Sequence, residues 1–138
     1  MREILFRGKE KLTGVWRYGS LLKYPNAATI KQIYGDRVFH TATYEIIPET
    51  VGQFTGLTDK NGTKIFEGDI VKGKSEYFGN GSLNQKAVVL YDRGQFLLSF
   101  GETLEECKQL NDFEVVGVWS GDVEVIGNVH DNPELLKE

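Results

Sequence analysis

Apolar and polar residues alternate in short runs along most of this chain, and turn formers break the runs roughly every 8 to 12 residues, a rhythm that predicts strands. Residues 3–7 (EILFR) and 14–18 (GVWRY) read as a hairpin around the polar turn at 8–11. Residues 21–24, 29–34 and 43–47 continue a meander, with a turn at Gly35-Asp36, until Pro48 interrupts it. In the second half, 87–91 (AVVLY) and 95–100 (QFLLSF) flank the turn Asp92-Arg93-Gly94 and predict a hairpin. A further hairpin is expected from 113–119 (FEVVGVW) and 123–129 (VEVIGNV) around Ser120-Gly121-Asp122. One segment breaks the β pattern. Leu104, Cys107 and Leu110 recur at helical intervals, and Thr103 stands three residues before Glu106 as in a capping box, so a short helix is expected over 103–110. Residues 75–85 are polar and rich in Gly and Asn, the composition of a loop. Pro133 opens a final turn, PELL.

Composition narrows the class. The chain has 138 residues, the size of one domain, with 40% apolar and 26% charged residues, which suits a folded globular protein. Its opening apolar triplet, set between Glu3 and Arg7, is too short for a signal-peptide core, and no later run is long enough for a membrane span. With one cysteine, Cys107, neither an internal disulfide nor a cysteine-based zinc cluster can form, and the cytoplasm is the expected compartment. The net charge of −4 is unevenly placed: residues 1–72 hold 11 Lys/Arg against 8 acids, and residues 73–138 hold 5 against 12. Such polarity could orient a nucleic-acid contact or join the basic part of one subunit to the acidic part of another.

The stretch 53–71, QFTGLTDKNGTKIFEGDIV, is the densest in candidate chemistry. Gly56, Leu57, Asp59, Asn61 and Gly62 form a turn-rich first half, in which Asp59 and Asn61 can bond their own backbone and Gly62 can supply positive φ. Glu67, Gly68 and Asp69 make a corner where Gly68 permits a bend and the Asp69 carboxylate can accept backbone N–H groups before a strand. A calcium loop starting at Asp59 fails, because its fifth, sixth and twelfth positions are Thr63, Lys64 and Ile70. No nucleophile elbow, phosphate-binding loop or dinucleotide fingerprint occurs, and Gly79-Asn80-Gly81 lacks the third glycine of such a fingerprint. His40 and His130 have no ligands at metal spacing, and Cys107 has no activating base. Asn61-Gly62-Thr63 and Asn80-Gly81-Ser82 match glycosylation sequons but read as Asn-Gly turns. No catalytic residue, cofactor or metal is therefore expected. One constellation keeps functional weight: Arg2, Arg7, Lys9, Arg17 and Lys23 interleave with Trp16, Tyr18, Tyr24, Tyr34 and Phe39, a composition able to pair phosphates and stack bases.

Taken in order, ILFRGKEKLTGVWRYG, PETVGQFTGLTDKNGTKIFEGDIV, AVVLYDRGQFLLSF and EVIGNVHDNPELL resemble the YopX family of phage and prophage proteins from end to end. The resemblance implies a mainly β protein with a barrel-like part and no established biochemical activity, hence no catalytic residues to transfer. It also implies a scaffold role for the corner Glu67-Gly68-Asp69, since Gly-Asp-Ile-Val entering a strand commonly opens an SH3-like barrel. The expectation is one domain over 1–138, divisible into a β subdomain at 1–50 and a barrel-like one at 51–138. Antiparallel hairpins, a partly closed SH3-like barrel in the C-terminal half and one short helix make up the expected fold. The expected role is a non-enzymatic phage accessory module in the bacterial cytoplasm, off the membrane, homo-oligomeric or bound to a phage or host protein. The alternative is a nucleic-acid-binding module using Arg7, Lys9, Trp16, Arg17 and Tyr18.

Overall fold

The computed structural model describes residues 3–34, 40–73, 85–92, 94–99, 113–115 and 123–136. They fall into two compact units, Met1–Phe54 and Thr55–Glu138. The structure is mainly β and antiparallel, and the only helical elements among the described residues are two short 3-10 turns.

In the N-terminal unit, β1 (Phe6–Lys9), β2 (Trp16–Tyr24), β3 (Ala27–Ile33) and β4 (Thr41–Ile46) form an antiparallel meander. After the 3-10 turn Pro48–Thr50, the start of β5 (Gly52–Thr58) returns to pair with β1, giving the order β4-β3-β2-β1-β5. The sequence suggests a break near Gly19, yet β2 runs through it as one long strand. Its first half pairs with β1 up to Gly19↔Phe6, and its second half pairs with β3 from Ser20↔Lys31 onward. Gly19 is where the strand changes partner, and the Lys31 carbonyl lies where a Cβ at that position would stand. Backbone approach, and not a turn, explains the glycine.

Register assigns the two faces. Phe6, Leu21, Ala28, Ile30, Tyr44 and Ile46 share one face and form the core of this unit with Val51. Each fully buried Ile in such a cluster contributes roughly 1.5–3 kcal/mol. The unit also ties its far edge back to its first turn: Glu10 bridges Ile46, Lys11 N–H donates to the Glu45 carbonyl at 2.8 Å, and Ile47 N–H donates to the Lys9 carbonyl at 2.9 Å. Thr50, buried, reinforces this junction by accepting from Lys9 N–H at 2.9 Å and donating to the Ile47 carbonyl at 2.6 Å.

In the C-terminal unit, the remainder of β5 and β6 (Lys64–Phe66) flank the turn at 59–63. A five-stranded antiparallel sheet follows, built from β7 (Asp69–Gly73), β8 (Gln85–Asp92), β9 (Gln95–Ser99), β10 (Phe113–Val115) and β11 (Val123–Asn128) in the order β10-β9-β8-β7-β11. The strand order repeats that of the N-terminal unit: four strands in a meander, then a fifth beside the first. Both faces of β7 and β8 are buried. Val71, Ala87, Val89, Leu98 and Val123 pack with Ile65 on one side, while Ile70 and Val88 pack on the other against Leu136 from the 3-10 turn Pro133–Leu136. Burial on both sides accounts for continuous apolar runs such as AVVLY in place of alternation.

The hairpin expected around residues 92–94 is present, with Leu90↔Leu97 in register and Tyr91 edge-on to Phe96 at 5.0 Å between ring centroids. Of the hairpin expected around 120–122, the described parts do not pair with each other: β10 pairs with β9 and β11 with β7, at opposite edges of the sheet. The apolar pattern predicts both strands, but it does not name their partners. Among the described residues no ladder joins β10 to β11, so the sheet stays open where barrel closure was expected. The expected helix at 103–110 with Cys107, the loop at 75–84, the turns at 35–36 and 120–122, and residues Arg2 and Phe39 lie outside the described residues.

Candidate functional site

Two clusters draw together the residues singled out above, one in each unit. In the C-terminal unit, Asp59 is 5% exposed and each of its carboxylate oxygens has a backbone partner. Oδ1 accepts from Asn61 N–H at 2.8 Å and Thr63 N–H at 2.9 Å, and Oδ2 accepts from Val125 N–H on β11 at 2.9 Å. Burial pushes this carboxyl up, but the three N–H donors outweigh it and hold Asp59 below the usual carboxylate range. Gly62 and Gly68 both adopt positive φ, 83° and 93°, as their places in the turn and the corner require. Asp69, 2% exposed, accepts from Phe66 N–H at 2.7 Å and so closes the corner before β7. The Asp59 and Asp69 carboxylates are thus bonded to main chain. Leu57 packs against the core, and Asn61 reaches Glu124 at 3.4 Å. Among the described residues no three His, Cys, Asp or Glu side chains converge as a metal would need.

In the N-terminal unit the register separates the basic and aromatic residues. Arg7, Lys9, Trp16 and Tyr18 share one face, because Lys9 stands opposite Trp16 and Arg7 opposite Tyr18. There the Arg7 guanidinium lies 4.7 Å from the centroid of the Trp16 ring and the Lys9 ammonium 5.9 Å from it, so the indole is already engaged by cations of its own chain. Arg17 lies on the opposite face. Its Nε and Nη2 donate to Oε1 of Glu10 at 2.9 and 2.7 Å, and its guanidinium stacks 4.0 Å from the Tyr44 ring centroid. Thr13 donates to the same Glu10 oxygen at 3.0 Å, and the Tyr44 and Tyr34 hydroxyls meet at 2.6 Å. Lys23 sits near the far end of β2, exposed. Glu10 and Tyr44 are the residues the sequence reading missed. Their roles follow from β4 arriving beside the first turn, which no local pattern along the chain announces.

The Arg17 hydrogen bond, aided by Thr13, holds Glu10 below its ordinary value against the upward push of burial, and Glu10 in turn raises Arg17. Replacing Arg17 by Met is therefore expected to raise the Glu10 pKa, read by NMR titration of its side-chain carboxyl. An unchanged value would show that Thr13 and solvent suffice. The sign for stability follows: the pair stabilises the fold above the unfolded carboxyl pKa, and its contribution fades as pH falls through the lower folded value.

On the Trp16 face, large apolar side chains stand in water: Tyr18 is 43% exposed, Leu22 56%, Tyr24 47% and Ile33 58%. Beside them runs a shallow groove of about 390 Å³ lined by Ile4, Leu5, Tyr18, Lys31, Ile33 and Tyr34 among others.

The sequence model of a family described as "YopX protein" matches residues 5–137. No curated protein matches the chain. Among solved structures, the crystal structure of protein EF1440 from Enterococcus faecalis is similar, at 24% identity and a TM-score of 0.58, covering 99% of this chain and 100% of that one. At that identity the likeness bears on the fold alone.

Proposed function

Since this chain belongs to the YopX family, we propose that it is a non-enzymatic phage or prophage accessory module that works through protein contacts in the bacterial cytoplasm, as a homo-oligomer. The observation behind this reading is the face of the N-terminal sheet that leaves Tyr18, Leu22, Tyr24 and Ile33 exposed while the opposite face holds the core. An exposed patch of large apolar side chains rimmed by Lys9 and Lys31 has the chemistry of a protein interface. The nucleic-acid alternative is less favoured by the same geometry, because Arg17 is bonded to Glu10 and the Trp16 ring has Arg7 and Lys9 over it. We read the strand order β10-β9-β8-β7-β11 as that of an SH3-like barrel left open between its outer strands.

Light scattering at low and high salt tests the assembly. An oligomer is expected, and Leu22→Asp with Ile33→Asp should reduce it to monomer. A monomer under both salt conditions would remove the assembly reading, whereas tight, steeply salt-dependent binding of single-stranded DNA or RNA would replace it with the alternative.

A further inference from the structure

Building on the reading that the chain self-assembles, we propose that β4 is the edge through which two copies pair: Thr41-Ala42-Thr43 of one copy lies antiparallel to the same three residues of the other about a two-fold axis. The phase of the strand is fixed by bonds at both its ends. His40 accepts from Tyr34 N–H on the β3 side, while the Glu45 carbonyl and Ile47 N–H are bonded on the outer side to Lys11 and Lys9. Even positions therefore face β3 and odd positions face outward. Thr41 and Thr43 thus present two N–H and two C=O groups outward, and among the described residues these meet no partner. Residues 9–11 already pair along the other end of this edge. The chain then folds away through the turn closed by Gly14 N–H to the Glu10 carbonyl at 2.8 Å, and the ladder stops short of Thr43.

An open edge of this kind is a template for another strand, and natural proteins guard such edges with Pro, Lys or a bulge. The stretch 41–43 has none of these and no charge. Its sequence is also a palindrome, Thr-Ala-Thr, which selects a second copy as occupant. Antiparallel pairing centred on Ala42 sets Thr41 opposite Thr43 at both ends, completing four backbone hydrogen bonds and two Thr–Thr cross-strand pairs with the smallest side chain on the axis. On the same face Ile33, 58% exposed, stands opposite Thr41 in the next strand, so the row that begins with it would continue across the new pair. Beside the edge, a groove of about 420 Å³ is lined by Lys11, Leu12, Thr43, Tyr44 and Glu45, with Leu12 89% exposed.

Sedimentation velocity over a concentration series, combined with amide exchange on the full chain, tests this pairing. Thr41 and Thr43 amides should become protected as assembly proceeds. Thr43→Pro removes an outward donor and leaves the ladder to β3 intact. Thr43→Lys introduces the charge that guards natural edges and needs no special backbone angle. Each is expected to weaken assembly about tenfold or more with an unchanged far-UV spectrum. Assembly with both amides unprotected, or with both variants associating like the wild type, would overturn the edge pairing and leave self-assembly standing. A wild-type chain that stays monomeric throughout removes both.

Discussion

Replacing Gly19 by Val is expected to destabilise the fold by about 3 kcal/mol or more, beyond the usual overpacking loss of roughly 1–3 kcal/mol. The reason is what the new side chain meets. A Cβ at Gly19 falls on the carbonyl oxygen of Lys31, with the Ile30 side chain 3.2 Å away on the same side. A flexible side chain could swing clear, but a backbone carbonyl in a ladder cannot. Moving it separates β2 from β3 at the point where β2 leaves β1, so the Leu21↔Ile30 pair of the core opens with it. Urea denaturation of wild type and variant measures the loss. A shift below 1 kcal/mol would mean that β2 slides away from Lys31 at little cost. Gly14, with φ of 74° and open space around it, is the control: Gly14→Ala strains the backbone angle without a clash and should cost only about 1 kcal/mol.

The contrast between these two glycines shows what the sequence discloses and what it withholds. Turn glycines are legible because the requirement is local: Gly62 follows Asp59 and Asn61, and its positive φ can be anticipated from that company alone. Gly19 falls between the expected strands 14–18 and 21–24, yet β2 runs through it, since its requirement comes from Lys31, twelve residues further on. Pairing partners show the same limit. The β8–β9 hairpin is legible because a short turn forces neighbours together, whereas β10 and β11 are adjacent in sequence and stand at opposite sheet edges. Both segments carry similar apolar patterns, so the pattern cannot assign either of them to an edge. The matching strand order of the two units is likewise invisible in the sequence, which has no internal repeat. The two units share which strands neighbour one another and not which residues form them. At the N-terminal cluster, the list of cations and aromatics was legible, but the division of Arg17 from Arg7, Lys9 and Trp16 depends on register. That division turns a composition suited to nucleic acid into two groups, each engaged by residues of its own unit.

The second large effect is expected at Asp59, where Ala should cost about 3 kcal/mol. One side chain there holds three N–H groups from two places in the chain, and hydrogen bonds to a charged acceptor are worth roughly 1.5–3 kcal/mol each. The full sum is not expected, because Asn61 and Thr63 are exposed and their N–H groups can turn to water. Val125 N–H, within β11, has less recourse. Asn at this position separates the two roles: its single carbonyl oxygen can serve the turn or Val125, but its amide NH2 then points at a donor, so Asp59→Asn should lose about 2 kcal/mol. The pH dependence distinguishes this account from simple packing. The folded carboxyl lies below its ordinary value, so its contribution is fully present above the unfolded pKa of about 4 and is lost as pH falls through the lower folded one. The stability gap between wild type and Asp59→Asn should therefore be constant near neutrality and narrow in acid. A gap that holds constant down to pH 2 would mean that the carboxylate's charge is not what holds β11 to the turn.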